Sequence, residues 1–270
     1  AAPVYLQSVV EEECTGNGTL ACLVKGYQAD AAIISEPVGD ALVRAATGLI
    51  WFRVDVLGKP AVMAETATSV NAIEAAQGVI TALKQLESRW NQQRQQQPLY
   101  RDNERAINLN IGRISGGDWP SSVPAWASID CRINLFPDRD PEQAFAEIQQ
   151  CIADHAQSQP GLTDQPPKVT LTGHYSGGYE LKPNTDAEQL LARVHRDIYQ
   201  SELETPSITA YVDAAVFAIY GDMPCLVYGP KAENIHSFDE RVDLESLLRV
   251  TKAIALFVAN WCGLEKRIDA

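Results

Sequence analysis

Gly48-Leu49-Ile50-Trp51-Phe52-Arg53-Val54-Asp55-Val56-Leu57 is the stretch on which the fold turns. Ile50, Phe52, Val54 and Val56 alternate with Trp51, Arg53 and Asp55, the period of a strand with one buried face. A long helix is predicted next, with Val70, Ile73, Ala76, Ile80, Leu83 and Trp90 near one face, and then an exposed Gln-rich run over 91–97. Two more alternating strands follow around Ala106–Arg113 and Ala125–Leu135, with Gly116-Gly117-Asp118-Trp119-Pro120 as the turn. Asp140-Pro141-Glu142 combines an N-cap, a first-turn Pro and an early acid, and opens a helix with the stripe Ala144, Phe145, Ile148, Cys151 and Ile152. Pro166-Pro167 interrupts the chain before a last strand marked by Val169 and Leu171. The order strand–helix–strand–strand–helix–strand is the ferredoxin-like βαββαβ pattern, and it places an inserted domain at 47–175.

The flanking segments read as α/β. Val4–Val10 and Ala31–Ser35 are short apolar runs that predict buried strands, with a short helix over Gly18–Gly26 between them, an order that implies a parallel sheet. After the insert, Ala187–Gln200 reads as a helix, and Ser207–Tyr211 and Cys225–Tyr228 as strands. Asp243 caps a final helix carrying Leu247, Leu248, Ile254, Phe257, Val258 and Trp261, ended by Gly263. Residues 1–46 and 176–270 therefore form one domain, split by the insert.

Composition narrows the function. The 270 residues are 46% hydrophobic and 21% charged, as in ordinary globular chains. The net charge of −13 disfavours nucleic acid and anionic membranes, whose binding rests on Lys and Arg. No apolar run approaches the roughly 20 residues of a membrane helix, and no signal-peptide pattern opens the chain. None of the six cysteines forms a short C-x-x-C-type spacing, so they read as free thiols in a reducing cytoplasm. The chain opens without Met and close to its first predicted strand, which suggests a truncated start.

The candidate chemistry lies at strand ends. Glu11-Glu12-Glu13 directly follows Val4–Val10, Glu36-Pro37 follows Ala31–Ser35, and His236 follows the strand at Cys225–Tyr228. Ligands of open α/β sheets bind at the carboxyl ends of the strands. Adjacent carboxylates repel, and a cation offsets this. Taken alone, an acid run reads as a solvated face and a single loop His as a surface residue. Together, two Glu positions and a His make a carboxylate-rich donor set for a hard or borderline metal. The other histidines have blander places: His155 and His195 fall in predicted helices, and His174 ends a strand.

The motifs VVEEECTGNG, IISEPVGD and YGPKAENIHSFDERV, in this order around a ferredoxin-like insert, resemble the zinc-dependent acetylornithine deacetylase / succinyl-diaminopimelate desuccinylase / aminoacylase / carboxypeptidase family over nearly the whole chain. The resemblance implies a partial zinc-peptidase-like catalytic domain with an inserted dimerisation domain. It implies hydrolysis of N-acyl amino acid amide bonds with one or two Zn2+ or Co2+ ions. Carried over residue by residue, it makes Glu12 the catalytic base, Glu13, Glu36 and His236 metal ligands, and Arg132 a grip for a substrate carboxylate. It also implies a homodimer paired through the insert.

The sequence departs from the family in two places. Gly58-Lys59-Pro60-Ala61-Val62 stands where the family carries G-x-P-A-H, so Val62 replaces a His that stabilises the developing oxyanion in the neighbouring subunit. Loss of such a donor typically costs about 10²–10³ in rate. The family's H-x-D ligand motif lies upstream of the paired Glu, and only ten residues precede Glu11 here. Three ligands, Glu13, Glu36 and His236, imply a mononuclear site and weak activity of this chain alone. A non-catalytic binding or dimerisation module is the alternative reading.

Overall fold

The computed structural model describes residues 1–63 and 66–265. In chain order the elements are α1 (Asn17–Val24), β1 (Ala32–Ile34), β2 (Ala45–Ala46), β3 (Gly48–Leu57), α2 (Ala72–Gln92), β4 (Leu109–Gly116) and β5 (Trp126–Leu135). They continue as α3 (Pro141–Gln157), β6 (Lys168–Ser176), β7 (Tyr179–Glu180), α4 (Asp186–Tyr199), β8 (Ser207–Ile208) and the short turn α5 (Ala214–Val216). β9 (Cys225–Val227), β10 (Ala232–Glu233), β11 (Arg241–Val242) and α6 (Leu244–Cys262) close the order. The chain divides into two compact units, one of Thr47–Gly178 with Thr209–Tyr211, the other of Ala1–Ala46, Tyr179–Ile208 and Val212–Ala270.

The first unit is built on the alternation in β3. A four-stranded antiparallel sheet runs in the order β4-β5-β3-β6, with α2 and α3 packed on it and on each other. This is the ferredoxin-like arrangement. Ile50, Phe52, Val54 and Val56 are fully buried, as are Ile129 and Ile133 opposite them on β5. Trp51, Arg53 and Asp55 fall between them on the half-exposed face. Gly48 is required, because a Cβ there would lie 2.6 Å from the Ser176 carbonyl oxygen.

Of the expected face of α2, Ala76, Leu83 and Trp90 are buried, joined by Ala72, Val79 and Leu86, whereas Val70, Ile73 and Ile80 are only partly covered. The helix starts later than the apolar pattern. The Asn71 side chain accepts hydrogen bonds from the Ile73 and Glu74 amides, and Val70 pairs with Lys59 before the helix begins. Asp140 caps α3 as expected, accepting from the Glu142 amide with Pro141 in the first turn.

In the second unit, β1 and β9 pair in parallel, and β7-β2-β8 form a separate small sheet. α4 and α6 pack together, each with an N-cap: Thr185 accepts from the Glu188 amide, and Asp243 from the Ser246 amide. One expectation fails here. Val4–Val10 forms no strand, and Leu6 is 97% exposed. A strand needs a neighbour to complete its ladder, and among the described residues β1 pairs with β9 alone. Likewise only Ser207–Ile208 of the expected Ser207–Tyr211 strand pairs. Thr209–Tyr211 belong to the ferredoxin-like unit, where the Thr209 carbonyl accepts a hydrogen bond from Asn134.

Candidate active site

The three acids in a row are separated by their local geometry. Glu11 has φ 67° and is the hub of a tight turn: its carbonyl accepts from the Cys14, Thr15 and Gly16 amides. Its carboxylate is used locally, accepting from Thr15 Oγ1 at 2.5 Å. Glu12 and Glu13 remain. The turn leads into α1, where Gly18 admits a close backbone approach, since a Cβ would lie 2.2 Å from the Val10 carbonyl oxygen.

Glu36 sits just beyond β1. Its carbonyl oxygen lies 1.9 Å from where a Cβ on Gly229 would be, so a Gly beyond β9 lets the two strand ends touch. The β10–β11 hairpin carries the loop containing His236, which has φ 58°. His236 Nε2 lies 3.0 Å from Glu13 Oε1. Both side chains are open to solvent, at 70% and 73% exposure. Glu12 is half-buried, and burial, followed by repulsion from Glu36, Asp213 and Glu13, pushes its carboxyl up to about 7. Glu36 is also raised, first by burial, then by Glu13 and Asp213, with His236 acting in the opposite direction. The structure thus brings Glu12, Glu13, Glu36 and His236 into one electrostatically coupled group.

Asp213 belongs to that group and was not anticipated from sequence. It is buried and accepts from Thr19 Oγ1, on α1, at 2.5 Å. Its one signal was position, an acid inside the apolar run Tyr211-Val212-Asp213-Ala214-Ala215-Val216. Among the described residues, no three or more His, Cys, Asp or Glu side chains are drawn close enough to chelate an ion. The donor chemistry still fits a divalent cation, because the gathered carboxylates that hold Glu12 and Glu36 above the ordinary range are groups a positive charge would relieve. A single H-x-D string does occur, His195-Arg196-Asp197 on α4. His195 is buried, with Nδ1 2.9 Å from the Tyr228 hydroxyl, and contributes nothing to this group.

Arg132 and Val62 lie in the ferredoxin-like unit. Arg132 stands opposite Trp51 on β3 and Asn110 on β4. Its Nε is buried without a hydrogen-bond partner, and burial lowers its pKa. Val62 is 60% exposed, and its backbone forms a bridge to Ser122.

The sequence pattern of the M20 peptidase dimerisation domain matches residues 44–160. That stretch is an M20 peptidase dimerisation domain, and the chain as a whole is similar to proteins named as deacylases. It is 27% identical, over 97% of its length, to an N-formyl-4-amino-5-aminomethyl-2-methylpyrimidine deformylase of Halalkalibacterium halodurans, covering 65% of that protein. It is 26% identical over 96% of its length to an acetylornithine deacetylase of Erwinia tasmaniensis, covering 64%. Its fold is shared with a dinuclear metal-binding M20 peptidase of Bacillus subtilis, with a TM-score of 0.61, 13% identity, and coverage of 92% of this chain and 61% of that one. The chain therefore spans about two thirds of the length of its curated relatives, at 65% and 64%. No helix among the described residues is long and apolar enough to cross a membrane.

Proposed function

We propose that this chain carries part of an amidohydrolase site that cleaves the acyl–nitrogen bond of an N-acyl amino acid. The observation that carries the reading is the meeting of Glu13 with His236 at 3.0 Å, across 223 residues of sequence, beside Glu12 and Glu36. Glu13, Glu36 and His236 would hold one Zn2+ or Co2+ ion. Such an ion, when bound, supplies Lewis-acid polarisation of the acyl carbonyl. Glu12 takes a proton from the attacking water and delivers it to the leaving amine nitrogen. Arg132 offers a guanidinium fork to a substrate carboxylate. The insert pairs two copies into a homodimer, and the six free thiols suit a reducing cytoplasm.

The test joins metal analysis of the purified chain with a panel of N-acetyl and N-formyl amines. Zinc near one equivalent, and a loss of about 10²–10⁴ in any measured turnover on Glu12→Gln with the metal retained, is the expected outcome. Metal content unchanged in Glu13→Ala and His236→Ala would overturn the ligand assignment. Val62 favours a second reading, a non-catalytic module, because its side chain donates no hydrogen bond where the family resemblance implies a His. Absence of both metal and turnover would select that reading.

A further inference from the structure

We propose that a part-buried cluster of His195, Tyr228, Tyr199 and Asp40, joined by hydrogen bonds and a ring stack, is the device that positions the Glu36 loop, with Asp40 and Tyr199 as its positioning residues. The proposal rests on the reading of Glu36 as a ligand. Asp40 is four residues beyond Glu36, and its side chain is only 9% exposed. Tyr199 Oη donates to Asp40 Oδ1 at 2.9 Å, Ser246 Oγ donates to the same oxygen, and Lys231 Nζ lies 3.5 Å from Oδ2. Tyr199 and Tyr228 influence one another's ionisation, so their hydroxyls lie in one electrostatic neighbourhood. His195 Nδ1 lies 2.9 Å from the Tyr228 hydroxyl, and its ring stacks on Tyr199 at 4.3 Å.

Counting protons orders the cluster. Each hydroxyl owns one proton, and the Asp40 carboxylate only accepts. Tyr199 therefore gives its proton to Asp40, while the Tyr228 hydroxyl and His195 Nδ1 share a second hydrogen bond beside it. Burial lowers the His195 pKa, which favours the neutral ring. The Asp40 carboxylate is met by Tyr199, Ser246 and Lys231, in a region where an unpaired charge would be costly.

The cluster acts on the Glu36 loop through the backbone. The Val38 amide donates to the Glu36 carbonyl at 2.8 Å, Gly39 to Pro230 at 3.1 Å and Asp40 to Gly229 at 2.9 Å. Asp40 holds φ 66°, a conformation that a non-glycine residue keeps only when its surroundings enforce it. The same contacts tie the loop to Tyr228-Gly229-Pro230-Lys231, the segment that runs into the hairpin bearing His236. Partners behind metal ligands typically change affinity by about 10–100-fold when removed.

Tyr199→Phe keeps the ring stack and removes the hydroxyl, and Asp40→Asn keeps the side-chain shape. Both are compared with the unaltered chain by Co2+ titration followed in visible absorption, by amide exchange at Gly39 and Asp40, and by thermal midpoint. The expected result is about 10-fold weaker Co2+ binding with an altered absorption band, and faster exchange at those two amides, in both folded variants. Unchanged Co2+ affinity and spectrum overturn the proposal, whether or not exchange quickens. If the unaltered chain binds no Co2+ while Tyr199→Phe still speeds exchange at Gly39 and Asp40, the loop-positioning role stands and the metal reading of Glu36 fails.

Discussion

Asp130 shows how a single side chain can be satisfied from two strands at once. Arg53 on β3 and Arg113 on β4 each place Nε 2.6 Å from one of its carboxylate oxygens. The hydrogen bond from Arg53 is the largest cause holding its pKa below the ordinary carboxylate value. A carboxylate depressed in the folded state contributes stability that is complete above its unfolded pKa of about 3.9 and is lost as pH falls through the lower folded value. Asp130→Asn is therefore expected to lower the urea midpoint at pH 7, and the gap between variant and unaltered chain is expected to close in acid. The effect is small because the group is partly solvated. An equal gap at pH 7 and at pH about 2 would show that shape, not charge, is responsible.

At the scale of elements, local capping decides where helices begin. Asn71 supplies one oxygen to two first-turn amides of α2, at 3.0 and 3.3 Å. Asn71→Ala is expected to cost about 1 kcal/mol, read as a lower denaturation midpoint with an unchanged slope. The same cap explains why Val70, counted by apolar periodicity with Ala76, Leu83 and Trp90, lies outside α2: it pairs with Lys59 before the helix begins. Asn71 is a good N-cap residue, and giving it priority over periodicity sets the start correctly. Val4–Val10 failed for a different reason. Its apolar composition favours a strand, but a strand exists only with a partner, and composition does not name one.

For the whole molecule, each unit owns a buried core, and the candidate site draws on separated parts of one of them. α1 and its preceding turn bring Glu12 and Glu13, the end of β1 brings Glu36, and the β10–β11 hairpin brings His236. The ferredoxin-like unit carries the dimerisation-domain pattern over most of its length. Light scattering is expected to report twice the chain mass at high concentration. A constant single-chain mass on raising the concentration would count against pairing through the insert.

What the sequence determined by itself was local and periodic. Alternation in β3 and β5 and the caps at Asp140 and Asp243 were enough to read the ferredoxin-like insert and the last helix, because each depends on residues a few places apart. Only the tertiary structure decided which of the three adjacent acids is consumed by its own turn, that Asp213 joins the group, and that His195 faces Tyr228. Those outcomes depend on contacts such as Thr19 with Asp213, 194 residues apart. Hydrogen bonding between distant segments has no periodicity to leave in the sequence, and burial, which raises the Glu12 pKa, exists only once the chain has closed around the carboxylate.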